Sequence, residues 1–424
     1  MSPLDNGPLS SDFQDVTFNR CLYMQAVSAI RKQKCENGTA IIGAAYAIRL
    51  LRGLSSGWLG PLIPTIAVVQ AISLVNVALM FSVYFCGLFT MLIGGPLLLN
   101  RFGGKDCLLI ATMCYASGFL TIAFSTGELM LWAGSLFIGF GAGLSIPCGT
   151  LCVLRLSESN PGSALSKYAI LYGVGALLGP ICAYATMSSP WSYRTVYLLG
   201  FVGALLIGLL LYRIKSTSLI KDGSDRSEIK RLLKEPQLWF FAVLLFLYIG
   251  VESSACAWMY VYLRQSLELD KSFASLGITA LYIGLTVGRI VAIDLCKRFS
   301  NIQIIVGSLT LAAISFVLLL AGPEIPLVAL AIVFTLGIGF GPVFPNIIAS
   351  GASKFPQGIS AVTSALMICG VPGGMLFPWL GGIIGQNNGM HGTLFLLLTL
   401  IGVMLVMIFA GSRLSKRSLG RGAA

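Results

Sequence analysis

Apolar residues follow one another along this chain in long uninterrupted blocks, separated by short polar segments. They show neither the alternation of half-buried strands nor the spaced pattern of surface helices. A helix needs about 20 residues to cross the hydrocarbon core of a bilayer, and the blocks are of about that length. The pattern predicts twelve transmembrane helices, at 41–67, 74–99, 107–125, 129–153, 165–187, 195–212, 237–263, 273–295, 302–321, 326–349, 358–384 and 392–411.

The composition agrees with this pattern. Of the 424 residues, 56% are hydrophobic and only 10% are charged, whereas soluble globular domains carry about 25% charged residues. We therefore expect an all-α integral membrane protein. Most of the eleven cysteines lie inside apolar blocks, where a thiol behaves as a small hydrophobic group, so neither disulfides nor a metal site are expected.

The basic residues indicate an orientation, because loops rich in Lys and Arg stay on the cytoplasmic side. With the N-terminus inside, most of the 28 Lys and Arg residues fall in cytoplasmic segments. The outer loops hold only Arg194, Arg264 and Lys271. We expect a multi-pass protein of the cell membrane, plasma or inner, with both termini cytoplasmic. The net charge of +12 is spread between the blocks, which argues against a nucleic-acid partner.

The longest polar stretch between blocks divides the helices six and six. This predicts a cytoplasmic N-terminal segment at 1–40, an N-terminal six-helix bundle at 41–212 and a cytoplasmic linker at 213–236 with a short amphipathic helix at 228–234. A C-terminal six-helix bundle at 237–411 and a cytoplasmic tail at 412–424 follow.

An internal repeat supports the division. A shift of 198 residues carries Gly139 and Pro147 of the fourth block onto Gly337 and Pro345 of the tenth, and a shift of 197 carries Gly87 onto Gly284. Matching Gly and Pro at nearly one offset predicts two related halves in the same orientation, a parallel repeat known in transporters.

Several short motifs resemble a known family. The segment 94–105, GGPLLLNRFGGK, resembles the signature G-x-x-x-D-R-x-G-R-R of the major facilitator superfamily, with Asn100 in place of the usual acid and Gly104 in place of a base. Further segments resemble its fucose-permease-like branch: GPLIP at 60–64, GALLGP at 175–180, YIGVE at 248–252, GLTVGR at 284–289 and GFGPVFP at 339–345.

The resemblance implies two six-helix bundles related by pseudo-two-fold symmetry, which rock to give alternating access. It implies a secondary active transporter of a small polar organic solute, sugar-like, with gating-loop candidates Asn100, Arg101, Lys105 and Arg298. The branch's sugar carriers use acids in the first and fourth helices, and this sequence has none there. Two alternatives stay open: an organic-anion or drug-like exporter or exchanger of the same fold, and a transport-inactive scaffold or receptor.

Charged residues inside the blocks are candidates for function, because burying a charge in hydrocarbon costs about 2.5–3.5 kcal/mol. Glu252 is the sole carboxylate deep in a predicted helix. Two roles stay open for Glu252: it binds a proton or a sugar hydroxyl, or it forms a fixed ion pair with Arg289. The alternative role for Arg289 is the capture of an anionic substrate. Arg52 is expected to face the cavity and hold a carboxylate or phosphate, while Arg49 is expected to snorkel to the surface.

Aromatic and amide side chains at similar depth are further candidates. Sugar rings stack on aromatic faces, but such residues also pack on neighbouring helices, and buried amides also join helices. The candidates for substrate binding are Trp258, Tyr84, Tyr172, Tyr282, Asn76 and Asn346.

The sequence also excludes several activities. It has no G-x-x-x-x-G-K-[ST] loop for ATP and a single histidine, His391, so neither an ATP-driven pump nor a histidine-based enzyme or metal centre is expected. We expect a monomer without cofactors, whose partners are the bilayer, a small-molecule substrate and H⁺ or Na⁺ as a coupling ion.

Overall fold

The computed structural model describes residues 11–156, 161–187, 192–214, 234–355 and 359–421, and within these ranges it contains helices and no strands. The N-terminal half comprises α1 (Ser11–Gln70), α2 (Leu74–Phe102), α3 (Gly104–Ala123), α4 (Glu128–Leu156), α5 (Pro161–Met187) and α6 (Tyr193–Arg213). The predicted linker helix at 228–234 lies outside the described residues except for its last position, 234, which is in a turn.

The C-terminal half repeats this series with two differences. It comprises α7 (Pro236–Gln265), α8 (Lys271–Leu295), α9 (Asn301–Leu320), α10 (Pro326–Phe340), α11 (Val343–Ser353) and α12 (Ile359–Arg421). The helices α10 and α11 together form one crossing, interrupted at Gly341 and Pro342. The long α12 forms two crossings, because Gly389 has φ 74° and ψ 167° and reverses the chain.

The crossings add up to twelve. Ten stretches of the described helix are long and apolar enough to span a membrane, and the last of them is the 49-residue stretch of α12 that folds back at Gly389. The part of α1 that precedes Gln70 supplies the remaining crossing. The predicted fold class, an all-α membrane protein of twelve helices in two six-helix bundles, is confirmed.

Local signals account for the turns between crossings. Gly103 has φ 83° and joins α2 to α3 without an intervening loop, a conformation that a residue with a Cβ rarely adopts. Ser300 accepts a hydrogen bond from the Gln303 amide, and the Gln303 side chain accepts one from the Ser300 amide. This capping box fixes the start of α9.

The predicted repeat is visible in how the helices touch. A Cβ on Gly87 of α2 would lie 3.0 Å from the Phe140 amide nitrogen of α4. A Cβ on Gly284 of α8 would likewise lie 3.0 Å from the Ile338 amide nitrogen of α10. Small residues let membrane helices approach to backbone contact, and the same contact in both halves relates them by pseudo-two-fold symmetry.

The two halves meet along symmetric pairs of helices. The first crossing of α12 packs on α2, and α5 packs on α8. The repeat relates these two contacts, because α2 corresponds to α8 and α5 corresponds to the first crossing of α12. The helix α1 also touches α7. The middle of the molecule therefore lies between α1, α2 and α5 on one side and α7, α8 and α12 on the other.

Two details differ from the predicted helices. The helix α1 begins at Ser11, although the segment before residue 41 is polar, because hydropathy measures suitability for lipid and not helix formation. The predicted helix 326–349 is broken at Gly341, where Pro342 cannot donate a backbone hydrogen bond.

Candidate functional site

Two arginines of α1 lie in the middle of the N-terminal half, against tyrosines of α5. Cζ of Arg52 lies 4.9 Å from the centroid of the Tyr172 ring. Cζ of Arg49 lies 5.1 Å from the same ring and 4.7 Å from the Tyr168 ring. The cavity-facing role of Arg52 stays a prediction. Arg49 was expected to snorkel, but it lies over these two rings because it is one helical turn from Arg52 on the same face.

The surroundings of Arg52 include two further helices. The Tyr84 hydroxyl of α2 lies beside its guanidinium, and Tyr115 of α3 is also close. Both arginines, Tyr84 and Tyr172 are nevertheless only half-buried. These side chains lie against other helices and remain accessible, and the two arginines make this region positively charged.

An ion pair occupies the corresponding region of the C-terminal half. Nη2 of Arg289 on α8 lies 3.9 Å from Oε1 of Glu252 on α7, and the two side chains are 39% and 23% exposed. The nearby Tyr248 hydroxyl donates a hydrogen bond of 2.7 Å to the Phe340 carbonyl. The sequence interpretation of Glu252 included pairing with Arg289, and the two residues do meet. The long distance and remaining exposure leave both groups free to bind other partners.

Tyr282 of α8 lies at the boundary between the halves. Its hydroxyl donates a hydrogen bond of 3.2 Å to the carbonyl of Ser56 on α1, and Cys256 of α7 is beside it. Of the aromatic candidates, Tyr84 and Tyr172 therefore lie beside Arg52, and Tyr282 contacts the opposite half.

Three other candidates are occupied by hydrogen bonds within one half. Trp258 is 1% exposed and its Nε1 donates to the Pro378 carbonyl at 2.8 Å. The Asn346 amide donates to the Pro342 carbonyl at 2.7 Å. The Asn76 amide donates to Glu128 at 2.6 Å, near the start of α2. The bonds of Trp258 and Asn76 join different helices, whereas that of Asn346 lies within α11.

Hydrogen bonds between the halves lie toward one end of the molecule and, in one case, nearer its middle. Four are formed among the described residues. The hydroxyl of Ser82 donates to the Met375 carbonyl at 2.6 Å and that of Ser275 to the Pro180 carbonyl at 3.2 Å, while the Tyr184 and Ser272 hydroxyls lie 2.7 Å apart. The fourth is the bond of Tyr282 to Ser56. We call the end that carries the α1–α2, α5–α6 and α7–α8 connections the closed end.

The predicted gating loops lie at the opposite end. Asn100, Arg101 and Arg298 are exposed. Lys105 pairs with Asp106 of its own half at 3.5 Å, and Lys297 pairs with Asp294 at 2.7 Å. No ion pair joins the halves at this end within the described residues.

The described part of the chain contains no group of three or more His, Cys, Asp or Glu side chains that could hold a metal ion. Among the described residues, the carboxylate near the site is that of Glu252, which already pairs with Arg289. The site can therefore form hydrogen bonds, bind charged groups and stack on rings.

Fold and site together define a multi-pass membrane protein with a polar space between two related six-helix halves. The model of the Major Facilitator Superfamily matches residues 45–378. The chain belongs to this superfamily, whose members are membrane transporters and in general not enzymes.

Two relatives match along most of the chain. The protein named Bypass of stop codon protein 6 from Saccharomyces cerevisiae is 24% identical over 383 residues, which is 80% of this chain and 76% of that protein. The Glucose/mannose transporter GlcP of Bacillus subtilis is 23% identical over 362 residues, 81% of this chain and 87% of that protein.

Solved structures share the fold. The nucleoside transporter NupG has a TM-score of 0.69 at 14% identity, over 88% of this chain and 98% of that one. A single-residue mutant of the E. coli fucose:proton symporter FucP has a TM-score of 0.60 at 18% identity, over 88% of this chain and 97% of that one. The predicted family resemblance is confirmed, and its structural neighbours include a fucose carrier.

Proposed function

We propose that this protein is a secondary active transporter that moves a small polar organic solute, sugar-like in character, by alternating access. One observation carries the proposal. Half-buried charged and aromatic side chains lie in the middle of both halves, while three of the four hydrogen bonds that join the halves among the described residues lie toward the closed end. Such an arrangement holds a solute and opens to one side of the membrane.

The orientation of this state follows from the basic residues. If both termini are cytoplasmic, the exposed Arg101 and Arg298 face the cytoplasm and the closed end faces outward. The described conformation is then open to the inside. Under the same proposal residues 41–212 and 237–411 form the two moving halves, joined by the cytoplasmic linker at 213–236, with cytoplasmic termini at 1–40 and 412–424.

Within the site, we assign Arg52, Tyr84 and Tyr172 to solute binding from the N-terminal half. Glu252 and Arg289 contribute from the C-terminal half, where Glu252 also suits the binding of a coupling proton. Tyr282 serves at the boundary and closes the path outward. Trp258, Asn346 and Asn76 support the packing of the helices.

The relatives support a polar solute, since one is named a glucose/mannose transporter and a structural neighbour is a nucleoside transporter. A second candidate, an organic-anion exporter or exchanger, is favoured by Arg52, which forms no ion pair within the described part of the chain. A transport-inactive scaffold would keep the fold without moving any solute.

Flux measurements test the proposal. Purified protein in proteoliposomes should take up a labelled sugar or small organic acid with saturable kinetics, and the rate should respond to a pH or sodium gradient if an ion is coupled. Absence of saturable flux for sugars, nucleosides and organic acids would overturn the proposed function.

Impermeant thiol labelling of a cysteine placed at Arg101 tests the orientation separately. Labelling from outside intact cells would reverse the proposed orientation.

A further inference from the structure

Arg49 and Arg52 form a pair of cations with no counter-charge in the described structure. They are three residues apart on α1 and therefore project from the same face. Both guanidinium carbons lie within 5.1 Å of the centroid of one ring, that of Tyr172. Two like charges gathered against one ring repel each other, so the pair needs a compensating anion.

The protein does not supply one among the described residues. The ion pairs there are formed by Lys105, Arg289 and Lys297, and not by Arg49 or Arg52. Glu252, the carboxylate in the neighbouring half, lies against Arg289. Within the part of the chain that the structure describes, no carboxylate therefore balances the charge in the middle of the N-terminal half.

The two guanidinium groups also have hydrogen-bond donors without an acceptor. The Nε atoms of Arg49 and Arg52 are both buried and have no hydrogen-bond partner. Tyrosine rings attract a cation through their faces, but the N–H groups of a guanidinium lie in its plane and need oxygen acceptors. Carboxylate and phosphate oxygens fit this fork in pairs.

We propose that Arg49 and Arg52, with Tyr84 and Tyr172 beside them, form a subsite for a doubly charged oxyanion, either a phosphate monoester or a dicarboxylate, carried on a small organic substrate. The assignment rests on the proposed transport function and names its substrate class. Two cations without counter-charge match two negative charges, and the ring of Tyr172 presents an apolar face to the carbon skeleton of the same molecule.

Thermal-shift titration of the purified protein tests the subsite. The ligands are glucose 6-phosphate, succinate and inorganic phosphate, with glucose as the neutral control. A ligand that binds the folded state alone raises the unfolding temperature. We expect glucose 6-phosphate or succinate to raise it in low salt and glucose to do so much less. If neither organic dianion raises the unfolding temperature, the subsite is wrong, and if inorganic phosphate alone does, the site binds an ion and not a substrate.

Variants separate binding from folding. In the double variant R49Q/R52Q the dianion-induced shift should disappear, whereas Lys271→Gln, an exposed cation at the closed end, should keep it. Without ligand, R49Q/R52Q should lose little stability, because the repulsion that it removes offsets the ring contacts that it loses. A large loss of ligand-free stability would identify the arginines as structural.

Arg52→Lys keeps the positive charge but loses the paired N–H donors of the guanidinium. It should weaken dianion binding about tenfold.

The subsite and the proposed transport function can fail independently, and the experiments distinguish the two failures. Saturable flux of a neutral sugar without dianion binding would remove the subsite and leave transport intact. Dianion binding that depends on Arg49 and Arg52, in a protein without flux of any solute, would remove transport and leave the subsite.

Discussion

The hydroxyl of Tyr282 on α8 donates a hydrogen bond to the carbonyl oxygen of Ser56 on α1, 3.2 Å away. This bond joins the two halves nearer their middle than the bonds of Ser275 and Tyr184 do. It therefore separates the charged space from the closed end, and its loss should change how readily the closed end opens.

Replacing Tyr282 by Phe removes this bond and keeps the ring. A hydrogen bond contributes about 1 kcal/mol, so the population with the closed end open should rise about fivefold. Hydrogen–deuterium exchange along the second half of α1 and the first half of α8 should increase. Thr335→Val is the control, because the Thr335 hydroxyl bonds to the Ala331 carbonyl of its own helix. Equal exchange in wild type and Tyr282→Phe would contradict a gating role.

Glu252→Gln leaves Arg289 without its acidic partner. Because the pair is 3.9 Å apart and both side chains are partly exposed, the loss of unfolding free energy should be only about 1 kcal/mol. The double variant E252Q/R289Q should recover most of it. Thermal unfolding of the four proteins gives the coupling between the two residues, and a coupling of zero would show that they do not interact.

The same substitution tests proton coupling. If Glu252 takes up the coupling proton, transport by Glu252→Gln should lose its dependence on pH, because glutamine does not titrate. Solute flux in proteoliposomes from acidic to mildly alkaline pH measures this. A pH profile equal to that of the wild type would exclude Glu252 as the proton site and leave it a role in packing or solute binding.

Helix contact at Gly284 should not tolerate a side chain. A Cβ there would lie 2.9 Å from Cα of Gly337, and backbone atoms cannot move aside as flexible side chains do. We expect Gly284→Ala to cost about 1–3 kcal/mol of stability. Gly307→Ala in α9 is the matched control, since nothing lies within 4 Å of its Cβ position, and it should be neutral or stabilising.

Trp258 is expected to affect stability and not solute selectivity. Trp258→Phe keeps most of the buried ring but loses the bond to the Pro378 carbonyl, at a cost of about 1 kcal/mol. The unfolding temperature should fall while relative transport rates for different solutes stay as in the wild type. A changed order of preference among solutes would instead indicate that Trp258 takes part in solute binding.

Much of the fold could be predicted because lipid demands long apolar helices with satisfied backbones. Lengths and number of crossings follow from that demand, and Gly87 and Gly284 revealed the repeat through their spacing. The division of α10 from α11 and the start of α1 could not be predicted in this way. Both depend on backbone geometry that hydropathy does not measure.

The site was partly predictable for a related reason. Charges in lipid are rare, so Arg52, Glu252 and Arg289 could be found from the sequence alone. The buried role of Trp258 depends on the Pro378 carbonyl, which tertiary packing brings close, whereas Asn346 bonds to the Pro342 carbonyl at the start of its own helix. Arg49 was misjudged because the predicted start of the first helix put it near the surface, although its spacing from Arg52 indicated a shared face.

Under the proposed function, the positive charge that Arg49 and Arg52 hold on α1 would make the protein sensitive to voltage. A membrane potential acts on each elementary charge with about 2.3 kcal/mol per 100 mV over the full thickness of the bilayer. Any movement of α1 along the membrane normal then carries current, and a bound dianion would cancel it. The unloaded and loaded proteins would therefore respond to the electrical gradient in different ways.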